Sequence, residues 1–167
     1  MAPALSNLVI TVAVGPGILA HEYAHYLACR LTGVDVYSPP AVRPFADDAV
    51  LEHEPVDSFG ADFPIAVAPF AVNSMLAFVA FWAVHATAGP AQWFWLWLGI
   101  AFGFTALPSD TDTASLFRTA KALPGSVRPL GYLLAAPVWL ATRSMAVAGV
   151  LTALWTGLLF VQSAGVG

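Results

Sequence analysis

Long apolar stretches separated by short polar segments dominate the pattern along the chain. A helix needs about 20 residues to cross the hydrocarbon core of a bilayer. Four stretches approach or exceed that length and predict about four transmembrane helices, at residues 8–31, 63–84, 92–107 and 144–162. A further apolar run, at 129–142, has only about 14 residues and predicts an interfacial or re-entrant helix.

Residues 33–62 form the longest polar segment between these stretches. Two short runs of alternating apolar and polar residues, at 34–37 and 49–53, flank a Ser-Pro-Pro sequence at 38–40 and predict a small β-hairpin. Seven of the ten acidic residues lie in this segment: Asp35, Asp47, Asp48, Glu52, Glu54, Asp57 and Asp62. We interpret these acidic residues, together with His53, as a solvated surface.

The composition restricts the classes of protein to which the chain can belong. Apolar residues make up 59% of it and charged residues only 10%, whereas an average soluble domain has about 25% charged residues. This excludes an ordinary soluble enzyme, a disordered chain and a nucleic-acid-binding protein, which needs a basic surface. We therefore expect an all-α polytopic membrane protein, with residues 1–167 forming a single domain embedded in the lipid bilayer.

Basic residues cluster in two places along the chain and predict its orientation. Five of the six border or occupy the first polar segment and the segment after the third apolar stretch: Arg30, Arg43, Arg118, Lys121 and Arg128. The exception is Arg143, at the edge of the last apolar stretch. The two ends of the chain and residues 86–91 contain no Lys or Arg. Because basic loops stay on the cytoplasmic side of a cell membrane, we expect both segments in the cytoplasm and both termini outside. The predicted hairpin then lies in the first cytoplasmic loop of a multi-pass cell-membrane protein.

Outside the polar segment three carboxylates remain, Glu22, Asp110 and Asp112. Carboxylates within or beside membrane spans are costly, so they usually face an internal cavity and have a function. Glu22 belongs to an H-E-x-x-H motif together with His21 and His25. Residues four apart share one face of a helix, so both imidazoles can bind one metal ion. Glu22 then lies beside the ion, where its carboxylate can accept a proton from a water molecule.

A third metal ligand is expected where the third apolar stretch ends. Catalytic zinc generally has three protein ligands and one open position. Pro108 breaks the helix there, so a carboxylate that follows it can reach the histidines, which lie roughly 8–14 Å below the cytoplasmic surface. Asp112 is the first candidate and Asp110 the alternative. Each also suits the N-cap of a helix predicted at 113–122, and the two roles are compatible if one residue caps and the other binds metal.

Small residues precede the metal-binding motif. Gly15, Pro16 and Gly17 lie about one turn before His21. They predict either a bend of the helix around the site or close packing against a neighbouring helix. Both interpretations are compatible with the residues.

The chain resembles the site-2 protease family of intramembrane zinc metalloproteases in three features. These are the H-E-x-x-H motif at 21–25, the segment Pro69-Phe70-Ala71-Val72-Asn73 in the next span, and an Asp shortly after Leu107 and Pro108. Together they cover roughly residues 8–115. Thr105 stands where the family usually has Asn, and Thr113 follows Asp112 where the family usually has Gly. The chain is therefore similar to a small, divergent branch of zincin-like membrane peptidases.

The resemblance implies that His21, His25 and Asp112 bind a zinc ion. It implies that Glu22 is the general base, and that the substrate is a peptide bond in or near a transmembrane segment of another membrane protein. Asn73 would then polarise the scissile carbonyl or orient the substrate backbone; alternatively, it makes a hydrogen bond between helices.

Two other functions are compatible with the same residues. The chain could be a non-catalytic membrane subunit or scaffold that retains the metalloprotease fold, which the departures at Thr105 and Thr113 allow. It could also be a metal-ion carrier, although its carboxylates cluster at one depth instead of forming a path across the bilayer.

Overall fold

Helices form most of the chain that the structure describes. The computed structural model describes residues 2–40 and 51–166. Its helices within these ranges are α1 (Ala2–Thr32), α2 (Phe59–Ala86), α3 (Pro90–Phe104), α4 (Asp110–Ala122), α5 (Arg128–Thr142) and α6 (Met145–Ala164). Two short strands, β1 (Val36–Ser38) and β2 (Glu52–His53), pair antiparallel. The mainly helical fold, with a small hairpin between the first two long helices, is therefore confirmed.

Two of the described helices are long and apolar enough to cross a membrane, α2 with 28 residues and α6 with 20. α1 has 31 residues but carries the ionisable residues of the H-E-x-x-H motif in its second half. α3 has 15 residues, and its length of about 22 Å is less than the thickness of about 30 Å of a typical hydrocarbon core. The described helices thus include two of membrane-spanning character, and the number four stays a prediction.

Helix ends differ from the predicted ones where the chain caps or breaks a helix. α2 begins at Phe59, before the predicted start at 63, because the Ser58 side chain accepts a hydrogen bond from the Ala61 N–H. α3 ends at Phe104 and not at 107. The polar segment is therefore shorter than predicted, and an irregular connection leads from α3 into α4.

The N-cap predicted for α4 is wrong. α4 begins at Asp110, and its N-cap is Ser109, not Asp110 or Asp112. The Ser109 side chain accepts a hydrogen bond from the Asp112 N–H, and the Asp112 carboxylate accepts one from the Ser109 N–H. This reciprocal capping box satisfies two backbone donors at the start of the helix. Asp112 therefore stabilises α4 from its first turn and not from the cap position.

Several predicted features lie outside the described residues. These are the basic residue Arg43, the acidic residues Asp47 and Asp48, and the beginning of the predicted second strand at 49–50. Among the described acidic residues of the polar segment, Asp35, Glu52 and Asp57 are exposed as predicted.

α2 lies at the centre of the helical bundle and packs against α1, α3, α4 and α6. α1 also packs against α3, and Gly17 allows the two backbones to approach closely. A Cβ atom at Gly17 would overlap the Ala101 carbonyl oxygen and the Thr105 hydroxyl. α1 continues as one helix through Pro16. Of the two roles predicted for the small residues, the structure shows close packing at Gly17.

Replacing Gly17 with alanine should destabilise the fold, because the added methyl group has no space between α1 and α3. We expect the free energy of unfolding in detergent to fall by about 1–3 kcal/mol. The matched control is Gly15→Ala, since a Cβ at Gly15 meets only the Thr11 side chain, at an ordinary distance of 3.5 Å. This control should be neutral or stabilising by up to about 1 kcal/mol. Equal losses in both variants would contradict the close packing at Gly17.

Candidate metal centre

Two imidazole rings of α1 meet inside the bundle. His21 and His25 lie about one helical turn apart and are 9% and 6% exposed. Their Nε2 atoms are 3.2 Å apart. Two nitrogen ligands of a tetrahedral zinc ion, each about 2.0–2.1 Å from the metal, are separated by about 3.4 Å. The two Nε2 atoms therefore have the spacing that a shared zinc ion requires.

A backbone carbonyl orients each ring through its other nitrogen. His21 Nδ1 lies 2.7 Å from the Thr105 carbonyl oxygen, and His25 Nδ1 lies 3.0 Å from the Ile65 carbonyl oxygen. A carbonyl only accepts hydrogen bonds, so Nδ1 of each ring carries a proton. In the neutral form that binds a metal, each ring directs the lone pair of Nε2 toward the space between the rings. Metal-binding histidines in proteins almost always have such a second hydrogen bond.

Asp112 joins the two imidazoles from the first turn of α4. Its Oδ2 atom lies 3.4 Å from His25 Nε2, and the ligand atoms of the three residues all lie within 4.8 Å of one another. Burial alone would raise the pKa of the Asp112 carboxyl, but the neighbouring His25 imidazole and the hydrogen bonds from Ser109 hold this pKa below its usual range. The carboxyl is therefore ionised at neutral pH, as a metal ligand has to be.

Asp110 does not take part in this cluster. Its side chain is exposed and lines a separate cavity of about 340 Å³, together with Trp139 and Arg143. Side chains two positions apart on a helix point in different directions. The structure therefore brings Asp112, and not Asp110, to the two histidines.

Glu22 lies on the wall of a cavity beside the cluster. The cavity has a volume of about 440 Å³, and His21, His25 and Asp112 also line it. The Glu22 Oε2 atom accepts a hydrogen bond from the Leu51 N–H at 3.1 Å, which ties the residue before β2 to α1. A carboxylate that lies next to the cluster and faces a space large enough for water is placed to act as a base.

Asp62 is buried, so its predicted position on a solvated surface is wrong. Its side chain is 3% exposed and accepts hydrogen bonds from the Thr119 hydroxyl at 2.7 Å and the Ser115 hydroxyl at 3.0 Å. These hydroxyl groups lie about one turn apart on α4, so Asp62 ties the start of α2 to the helix that carries Asp112. The four-residue spacing places Ser115 and Thr119 on one face of a helix, but it does not indicate which residue they contact.

His53, which was also predicted to lie on the solvated surface, is half-buried and lines the same cavity. Its Nδ1 donates a hydrogen bond to the Glu54 carbonyl at 2.7 Å. Leu51 and His53 are two positions apart and therefore lie on the same side of an extended chain, and both face the cavity. The alternating pattern of the sequence predicts that Leu51 and His53 share one side of the strand. Only the packing of the hairpin shows that this side lies against α1.

Asn73 lies between three helices and is fully buried. The two N–H groups of its Nδ2 atom are shared among three acceptors, which are the Gly17 carbonyl at 3.0 Å, the Thr105 carbonyl at 3.1 Å and the Thr105 hydroxyl at 2.9 Å. Asn73 does not line the cavity beside the cluster. Of the two roles predicted for it, the structure shows the hydrogen bond between helices.

Comparison with known proteins adds no further identification. No family model matches the chain, and neither a curated protein nor a solved structure matches it. The similarity to intramembrane zinc metalloproteases therefore depends on the motifs in the sequence.

Asp112→Asn should weaken zinc binding, because an amide does not replace the negative charge of the carboxylate. Removal of a residue that only hydrogen-bonds to a metal ligand lowers metal affinity by about 10–100-fold. We expect the zinc affinity of Asp112→Asn to fall by more than this, because the ligand itself is changed. The measurement is a competition titration of zinc between the purified protein and a chelator. Asp110→Asn is the matched control and should leave the affinity unchanged, since Asp110 faces a different cavity. The opposite ranking would assign the third ligand to Asp110.

Proposed function

We propose that the chain is a zinc-dependent intramembrane endopeptidase. The observation that carries this proposal is the meeting of His21, His25 and Asp112, whose ligand atoms lie within 4.8 Å of one another. Glu22 lines the cavity beside them. Two imidazoles and one carboxylate around a metal, with a glutamate next to them, are typical of hydrolytic zinc sites.

The donor atoms of the cluster fit a zinc ion. Nitrogen and oxygen donors suit zinc, and three protein ligands leave a fourth position open. The Nδ1 atoms of His21 and His25 are occupied by carbonyl groups, so both rings have only Nε2 available as a ligand. When bound, zinc supplies Lewis-acid polarisation of the peptide carbonyl and lowers the pKa of water.

Glu22 moves the protons in this proposal. Its carboxylate accepts a proton from the attacking water and donates it to the amine nitrogen that leaves when the peptide C–N bond breaks. The hydrogen bond from the Leu51 N–H to Glu22 Oε2 keeps the carboxylate in one orientation. The general base is therefore held in place before the substrate binds.

The proposed substrate is a segment of another membrane protein. A cavity of about 440 Å³ has room for only a short stretch of extended chain, so a helical substrate has to unwind to present a peptide bond there. His53 of β2 and the preceding residue Leu51 line the wall of this cavity. An unwound segment can lie along this strand and form main-chain hydrogen bonds with it.

The apolar exterior of the helices supports a multi-pass protein in the cell membrane. Leu154 and Val161 on α6 are 66% and 67% exposed, and Trp93 on α3 is 69% exposed. Extensive exposed apolar surface is unfavourable in water and is typical of contact with lipid or with a partner. We therefore propose that α1 crosses the bilayer together with α2 and α6, and that α3 and the irregular connection after it together form the fourth crossing.

A contact between the two basic segments supports their location on one side of the membrane. Arg118 on α4 donates a hydrogen bond to the Val56 carbonyl of the first polar segment at 3.2 Å. Both segments also border the cavity, through Ser115 and Leu51. Since basic segments stay in the cytoplasm, we propose that the site lies toward the cytoplasmic side.

Glu22→Gln should abolish peptide hydrolysis and leave zinc bound, because glutamine keeps the shape of the side chain but does not accept the proton. We expect about one zinc ion per chain in both proteins, and a loss of turnover of at least about 100-fold in the variant. The measurement compares, by mass spectrometry, the newly formed protein termini in membranes of cells that produce either protein.

Two outcomes of this experiment would replace the proposal. Zinc bound in both proteins, with identical protein termini in the two membranes, would favour a non-catalytic subunit. A metal-ion carrier would be favoured if the protein moves zinc across vesicle membranes, if Glu22→Gln alters this movement, and if neither protein cleaves peptides.

Cysteine labelling tests the proposed orientation. The chain has one cysteine, Cys29, and it is buried, so an introduced exposed cysteine gives a clean signal. We expect Ala88→Cys, between α2 and α3, to react with a membrane-impermeant maleimide in intact cells. Ser126→Cys, between α4 and α5, should react only after the cells are opened; both positions are exposed. The reverse pattern would contradict the orientation, and reaction of both in intact cells would show that no membrane separates them.

A further inference from the structure

The two carbonyl groups that orient the histidines both lack a donor from their own helix. In a regular helix the Ile65 carbonyl accepts the N–H of residue 69, but that residue is Pro69, which has none. Thr105 is the C-cap of α3, where the last carbonyl groups have no donor from a following turn. These carbonyls are therefore available to accept hydrogen bonds from His25 and His21.

Pro69 is fully buried in the interior of α2. A proline inside a helix is unfavourable, because it removes one hydrogen bond and its ring crowds the carbonyl of the preceding turn. The carbonyl that it leaves without a helical donor is the one that accepts His25 Nδ1 at 3.0 Å. The hydrogen bond that α2 lacks at Pro69 is thus replaced by one from His25 at the candidate metal centre.

Asn73 holds the other carbonyl. Its Nδ2 atom lies 3.1 Å from the Thr105 carbonyl oxygen, which also accepts His21 Nδ1 at 2.7 Å. A carbonyl oxygen has two lone pairs and can accept both hydrogen bonds. Nδ2 also donates to the Gly17 carbonyl and the Thr105 hydroxyl. The amide therefore favours this orientation, because its reversal would place Oδ1 against two carbonyl oxygens, which cannot donate a hydrogen bond.

The other end of the Asn73 amide is unsatisfied. Its Oδ1 atom is buried and has no hydrogen-bond partner among the residues that the structure describes. A buried acceptor without a partner lowers stability, and native proteins keep few of them. A leucine of similar size would fill the space between the helices without that loss. The amide at this position therefore points to a role for its Nδ2 end beyond helix packing.

We propose that Pro69 and Asn73 are positioning residues of the metal centre. They lie about one turn apart on one side of α2, and each one determines the state of one carbonyl acceptor. Pro69 leaves the Ile65 carbonyl available, and Asn73 fixes the direction of the Thr105 carbonyl. Each histidine ring is thereby kept in the form that carries its proton on Nδ1 and presents Nε2 to the ion. The inference rests on the proposed function only in taking that ion to be zinc.

Pro69→Ala separates positioning from folding. Alanine restores the N–H of residue 69, which competes with His25 for the Ile65 carbonyl, while the helix itself becomes more favourable. In the full chain in detergent, we expect the zinc affinity to fall by about 10–100-fold and the thermal stability of the zinc-free protein to stay equal or rise. The matched control is Pro64→Ala, which restores a donor toward Gly60 in the same helix. Its zinc affinity should equal that of the wild-type protein.

Asn73→Leu is the second variant. We expect a loss of zinc affinity in the same range and, in NMR spectra of isotope-labelled histidine rings, a mixture of protonation forms for His21 where the wild-type protein has one. Unchanged affinity in Pro69→Ala, or an equal loss in Pro64→Ala, would overturn the positioning roles and leave the proposed function standing. A wild-type protein that binds no zinc in the same titration would overturn the proposed function and this inference together.

Discussion

The burial of two imidazole rings among apolar helices constrains the whole bundle. Both rings are largely removed from water, so each Nδ1–H needs an acceptor from the protein, and the acceptors are the carbonyl oxygens of Ile65 and Thr105. A buried polar group left without a partner costs about 1–3 kcal/mol. A shift of α1 by one turn would move one ring into the place of the other and leave the second ring without its acceptor. α1 therefore docks against α2 and α3 in one register, and the rest of the site is built on that register.

α4 reaches the site through a second set of buried polar contacts. Asp62 accepts hydrogen bonds from two hydroxyl groups of α4, which holds this helix against α2. The Asp112 Oδ2 atom accepts hydrogen bonds from Ser109 and also faces His25. One oxygen atom thus completes the helix cap and points at the imidazoles, so the carboxylate is oriented before any ion binds. Such preorganisation favours binding, because fewer groups lose their freedom when the ligand arrives.

Local physical rules account for most of the helices but not for their ends or for the burial of every charge. The apolar stretches predict where the helices lie, whereas the caps at Ser58 and Ser109 shift where two of them begin. Asp62 belongs to an acidic, polar segment, and its composition alone indicates solvent exposure. Its hydroxyl partner on Ser115 lies 53 positions away in the chain. The residues near Asp62 in the chain therefore do not indicate that its carboxylate is buried.

The sequence by itself determined that His21 and His25 lie on the same face of a helix, and that Glu22 follows His21 directly in the chain. Residues four apart share one face of any α-helix, wherever that helix lies in the fold. Only the tertiary structure decided between Asp110 and Asp112 as the third group, and only it identified the carbonyls that orient the two rings. Those choices depend on the angle and depth at which α3 and α4 meet α1. Contacts between residues far apart in the chain set that geometry, and no local pattern of residues encodes it.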